Sequence, residues 1–210
     1  MKLRFQMNCK NLVYLFGGVI FVGSVISGLL TTDKRWIGWH FSRLGEGGMF
    51  SSTIFNISIF VAALIVFILS IALVNNITNI NNINKTKINR AARIINKVFK
   101  IIAFCLFGVS IFPFDNYPTV HNIFGYSMLF TFLYLCIFIS KILPIFPQQF
   151  YIYGYSILLS TAVCYILFLF LGVISLLTVE MILFSIIYYW LVLFAKGVSS
   201  AVTIEEYRVI

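Results

Sequence analysis

Acidic side chains are the scarcest chemistry in this chain. Six Asp and Glu stand against fifteen Lys and Arg, and charged residues of both signs make up only 10% of the 210 positions. A soluble domain carries about 25% charged residues, so an aqueous globule is excluded. Proline is confined to Pro113, Pro118, Pro144 and Pro147, which leaves long stretches free of helix breakers. The four cysteines, Cys9, Cys105, Cys136 and Cys164, form no CxxC pair and read as small apolar core residues rather than disulfides or ligands. The two histidines, His40 and His121, are far apart in sequence, so neither HExxH nor HxxxH occurs and no local metal motif is present.

What is abundant is hydrocarbon. Hydrophobic residues make up 61% of a 24.0 kDa chain, more than its interior can hide from water, so most of them face lipid. Stretches 12–30, 53–74, 98–114, 123–143, 151–171 and 178–195 each approach the roughly 20 residues that cross a bilayer core. The third and sixth are short, and Lys97 and Lys100 beside the third are expected to snorkel. Residues 59–74 and 157–171 are almost continuously apolar, without the alternation of a barrel strand. The expected fold is all-α: a six-transmembrane-helix bundle forming a single transmembrane domain over 1–210.

Basic residues orient such a bundle, because they are retained on the cytoplasmic side. Twelve Lys and Arg fall on one side: Lys2, Arg4 and Lys10, six between Lys85 and Lys100, then Lys141, Lys196 and Arg208. Three, Lys34, Arg35 and Arg43, fall on the other. Both termini are therefore expected in the cytoplasm, and the +9 net charge is an orientation signal rather than a nucleic-acid footprint. The first span is too long for a signal-peptide core of about 7 to 15 residues and reads as a retained helix. The expected location is the inner (plasma) membrane, crossed several times, with membrane lipids as partners and no nucleic acid.

The Asn-rich segment 75–84 reads as a cytoplasmic connecting loop. After it, Ile88, Ala91, Ala92, Ile95, Val98 and Phe99 recur at helical spacing among basic residues, which predicts an amphipathic lead-in lying on the membrane before the third span. In the first span, Ser24 and Gly28 have the small-xxx-small spacing that serves either packing within the bundle or a homo-oligomer seam.

The informative asymmetry lies on the side opposite the basic residues. Both histidines and four of the six acids, Asp33, Glu46, Asp115 and Glu180, fall there. Residues 36–48 carry two tryptophans suited to the interface beside His40, Ser42, Arg43 and Glu46, and residues 112–122, stiffened by two prolines, carry Asp115 and His121 between the third and fourth spans. The two loops are expected to meet. In a catalytic arrangement, Asp115 orients His121 as a general base and Ser42 is the nucleophile. In a zinc arrangement, His40, His121 and one of Asp115, Glu46 or Glu180 are ligands. The plainer roles are His40 at headgroup level, Asp115 capping the turn after the third span and Glu180 favoured by the dipole of the sixth. Arg43 then binds lipid phosphate or pairs with Glu46, and Asn56 makes a helix-to-helix hydrogen bond.

With Ser42-Arg43-Leu44-Gly45, Phe55-Asn56, and Phe112-Pro113-Phe114-Asp115 followed by His121, the chain resembles a bacterial six-helix membrane family known as domain of unknown function 998. That resemblance implies an architecture and a set of marked positions, Ser42, Gly45, Asn56, Asp115 and His121, with no activity attached. More distantly the chain is similar to the alkaline-ceramidase-like membrane hydrolases, in which Ser, Asp and His cooperate around zinc; their late-helix HxxxH pair has no counterpart here.

The leading expectation is an outward-facing pocket for a lipid or other amphiphile, lined by His40, Arg43, Glu46, Asn56 and Glu180. The alternative is a lipid hydrolase or transferase using Asp115 and His121 with Ser42 or a metal, and a weaker one is a small-solute transporter. The sequence names no cofactor.

Overall fold

Asparagine and proline set most of the helix starts. The Asn8 side chain accepts from the Lys10 N–H at 3.0 Å to open α1 (Cys9–Leu30), and Asn84 accepts from the Thr86 N–H at 2.9 Å to open α3 (Lys85–Ile111). Pro118 occupies the first turn of α4 (Pro118–Ile142), and Pro147 precedes α5 (Gln148–Leu169), positions where a missing N–H costs nothing. The remaining helices are α2 (Phe50–Thr78) and α6 (Leu176–Glu206). The computed structural model describes residues 8–80 and 84–206 and, for 202–206, the backbone alone. Lys2, Arg4, Arg208 and positions 81–83 of the Asn-rich segment lie outside the described residues.

All six helices are long and apolar enough to cross a membrane, which makes the chain a multi-pass membrane protein in architecture. They alternate in direction. At one end the α1 start meets the α2 end through the Asn76 amide 3.3 Å from Cys9 Sγ, and the α4 end lines a cleft with the α3 start. Lys10, the lysines and arginines of α3, Lys141 and Lys196 all belong to this basic end. The other, polar end carries two short 3-10 turns, Lys34–Gly38 and Phe41–Gly45, between α1 and α2, together with the α3–α4 and α5–α6 connections.

The helices α1, α2 and α3 form the core. Fourteen residues of α2 are buried against five of α5, so α2 is the central rod and α5 presents most of its surface outward. Small residues line the close contacts: Gly23 of α1 packs on Ser58 of α2, and Gly17 on the Tyr188 ring of α6. Gly28 lies against the Trp36 ring of the first loop. Trp190, fully buried, stacks on Phe194 at 5.2 Å and meets Phe132 edge-on, tying α4 to α6. All four cysteines are buried and free.

Several boundaries differ from the sequence reading; α4, for one, starts at Pro118 and so carries His121 in its first turn. The amphipathic segment before the third span is no separate helix on the membrane surface: α3 runs unbroken from Lys85 to Ile111. Ile88, Ala91, Ala92 and Ile95 bury at i, i+3, i+4 and i+7 against the protein, so the apolar stripe that suggested lipid contact is satisfied by neighbouring helices. The Asn-rich loop is shorter than 75–84, because α2 continues to Thr78. Asn76 is held inside that last turn by donating to the Ala72 carbonyl at 2.8 Å. The sixth helix likewise continues past 195, with Val198 fully buried.

Candidate functional site

At the polar end the first loop folds around Arg43. Asp33 starts the arrangement as a local turn, its carboxylate accepting from the Arg35 N–H at 2.9 Å and clasping the Arg35 guanidinium with two bonds of 2.9 Å. The same carboxylate accepts from Arg43 at 3.2 Å. Arg43 also lies 3.3 Å from Glu46, and its guanidinium stacks 4.4 Å from the Trp39 ring centroid. Asp33 is thus held well below the usual carboxylate range, chiefly by its bonds to Arg35.

Glu46 and His40 form the less satisfied half of the cluster. His40 Nε2 is 3.5 Å from Glu46 Oε1, a contact that is an ion pair only when the imidazole is protonated. Burial pushes the His40 pKa down, aided by the nearby charges of Arg43 and His121. Burial pushes Glu46 up, opposed by Arg43 and supported by Asp115 and Asp33. At neutral pH the histidine is therefore neutral, and Glu46 Oε1 is buried without a hydrogen-bond partner, as is Trp36 Nε1 in the neighbouring turn.

The two loops do meet. The Phe114 ring lies between the histidines, 4.8 Å from His40 and 5.9 Å and edge-on to His121. Asp115 accepts from the Gly47 N–H at 2.9 Å, and it is the left-handed backbone at Gly47 and Gly48 that turns the chain toward it (φ +84° and +61°). Gly45 approaches α2 so closely that a Cβ there would overlap the Asn56 side chain, whose amide donates to the Gly45 carbonyl at 3.0 Å. The start of α6 closes the other flank: Leu177 N–H donates to the Trp39 carbonyl at 2.8 Å, and Glu180 accepts from the Phe41 N–H.

These contacts reassign several sequence-level roles. Asp115 does not orient His121. His121 Nδ1 instead lies 2.8 Å from the Phe112 carbonyl, which can only accept, so Nδ1 carries the proton of the neutral ring. The Ser42 hydroxyl has no hydrogen-bond partner among the described residues and touches neither of the groups expected to activate it. No three His, Cys, Asp or Glu side chains among the described residues are grouped to hold a metal ion. Glu180 serves the first loop rather than its own helix terminus, and Asn56 bonds to loop backbone rather than to a second helix. His40 is not an exposed headgroup-level residue, being only 8% exposed beneath Trp39, which is 54% exposed. The pairing of Arg43 with Glu46 is present as expected.

Sequence reasoning missed Asp33, Phe114 and Trp36. Asp33 carried a readable signal, since an Asp two residues before an Arg suits a turn closed by the side chain. Glu180 bonding to the Phe41 N–H had none, because a backbone acceptor site leaves no mark on residue identity.

The fold and this end together define a six-helix multi-pass membrane protein whose polar groups gather at one end of the bundle. No protein-family model matches the chain, and no curated protein or solved structure is significantly similar to it.

Proposed function

We propose that the polar end binds a lipid or other amphiphile, and that the basic end faces the cytoplasm of the cell whose inner (plasma) membrane the bundle crosses. The retention of Lys and Arg on the cytoplasmic side supports this orientation. The observation that carries the binding reading is that two of the four buried polar atoms without hydrogen-bond partners among the described residues, Trp36 Nε1 as a donor and Glu46 Oε1 as an acceptor, fall in this one loop, the others being Asn96 Oδ1 and Trp190 Nε1 in the helices. Leaving such a group unpaired costs about 1 to 3 kcal/mol, and a headgroup bearing both a donor and an acceptor relieves that cost. In the same loop and at the start of α2, Ile37, Trp39, Met49 and Phe50 are exposed apolar side chains of the kind that suit a membrane interface.

Charge narrows the ligand. Arg43 is already shared by Asp33 and Glu46, so the site favours a neutral or zwitterionic headgroup over an anionic one. The resemblance to the six-helix family of unknown activity is compatible with this role and adds no reaction. The hydrolase alternative lacks support from the geometry, because Ser42, Asp115 and His121 make no mutual hydrogen bonds.

Mass spectrometry of lipids retained by the purified protein tests the reading. A neutral or zwitterionic species enriched in the wild type and lost in Trp36→Phe, which keeps an aromatic side chain and removes the indole N–H, is expected. A lipid profile equal to that of the bulk membrane in both proteins overturns it. Accessibility labelling that places the polar-end loops in the cytoplasm overturns the orientation.

A further inference from the structure

The basic end holds two adjoining clefts. The first, of 430 Å³, lies between the opening turns of α3 and the closing turns of α4, with Lys87, Arg90 and Lys141 at its rim and Ile94, Tyr134 and Phe138 in its wall. The second, of 340 Å³, shares Arg90 and Ile94 and adds Arg93 and Lys97. No acidic residue lines either cleft, and none of these five cations makes an ion pair among the described residues. Lys141 Nζ lies 5.9 Å from the Phe138 ring centroid, so charge and aromatic wall form one continuous surface.

Five clustered positive charges repel one another unless an anion sits among them. Their position along the helices sets the depth of that anion. Lys87, Arg90, Arg93 and Lys97 occupy the half of α3 before its uncharged stretch begins after Lys100, and Lys141 lies in the last turn of α4, which is the headgroup level. The wall below is apolar, with Tyr134 45% exposed, and a free inorganic anion leaves that wall unused. Cations at headgroup depth above an aromatic and aliphatic wall match a phosphate joined to acyl chains.

We propose that the α3–α4 cleft is a binding site for an anionic phospholipid of the adjacent leaflet, its phosphate held by Lys87, Arg90 and Lys141 and an acyl chain lying on Ile94, Tyr134 and Phe138. The site lies at the opposite end of the bundle from the polar cluster and does not depend on the function proposed for it.

The full-length protein, reconstituted in nanodiscs of phosphatidylcholine with and without phosphatidylglycerol, tests the site by native mass spectrometry of retained lipid. The wild type is expected to retain phosphatidylglycerol over phosphatidylcholine by about tenfold or more, each cation near the surface contributing about fivefold. Lys87→Gln/Arg90→Gln/Lys141→Gln is expected to abolish the preference. Lys10→Gln/Lys100→Gln/Lys196→Gln, which removes the same charge from the same end outside the cleft, is expected to keep it within about twofold. Absence of a preference in the wild type, or equal losses in the two triple variants, overturns the proposal. Displacement of the lipid by inorganic phosphate at matched ionic strength, where chloride displaces none, also overturns it by showing that the acyl chain contributes nothing.

Discussion

The two ends of the bundle handle charge in opposite ways. At the polar end, acids and cations are interleaved, and most polar groups are consumed by the fold: Asp33 by Arg35 and Arg43, Asp115 by Gly47, Glu180 by Phe41, Asn56 by Gly45. At the basic end, no acid among the described residues pairs with the cations beside the clefts. The polar end is therefore a structural closure with a few unsatisfied atoms. The basic end packs through its apolar residues, Ile88, Ile95 and Val198 among them, and leaves its charge available to something outside the chain.

Substitutions at the two ends should separate accordingly. The largest effect is expected for Gly45→Leu, which forces the loop off α2 and breaks the Asn56 bond; a loss of about 2 to 3 kcal/mol in detergent unfolding is expected. A wild-type midpoint for this variant would show that the loop is not packed as described. Next comes Glu180→Ala, which leaves the Phe41 N–H without its acceptor and should cost about 1 to 2 kcal/mol, with faster proteolysis of the first loop as a second readout. Asn56→Ala is smaller, about 1 kcal/mol by the same unfolding measurement, because one neutral hydrogen bond is lost. The Lys87→Gln/Arg90→Gln/Lys141→Gln variant should lie within about 0.5 kcal/mol of wild type in neutral detergent, since those charges make no ion pair among the described residues and only Lys141, 5.9 Å from the Phe138 ring centroid, has a charge-dependent contact. A large loss there would erase the contrast between the ends.

Acidity sharpens the comparison at His40. Its pKa in the folded protein is lowered, so between that value and the ordinary 6.5 the unfolded chain binds more protons than the folded one. Stability then rises with pH in that window and is lost as pH falls through it. Glu46, raised by burial, acts in the opposite sense, its contribution being present at low pH and lost as pH rises above 4.5. Comparing melting temperatures of wild type and His40→Gln at pH 7.5 and 5.5 isolates the histidine. The variant should lose less on acidification, and parallel losses in the two proteins would remove His40 from the account.

Particular residues show which features were legible beforehand. The number of spans, the placement of both histidines and four acids at one end, and the meeting of the two loops follow from long apolar runs and their alternation. The Arg43–Glu46 pair was readable because the residues are three apart in one turn. The bond from Asp115 to Gly47 and that from Glu180 to Phe41 were not, since the partner in each is a backbone N–H common to every residue type. The lead-in before the third span was misjudged because an amphipathic stripe has the same spacing whether it faces lipid or a neighbouring helix.

Hydropathy alone dictated a membrane-crossing all-α chain with six rods, because an uninterrupted apolar run long enough to span hydrocarbon has no other stable conformation there. Tertiary packing decided which polar groups are spent and which are left over. A side chain's partners depend on how rods distant in sequence lean together, and that is where Trp36 and Glu46 lost their partners and the basic residues of α3 came to border a cleft with α4.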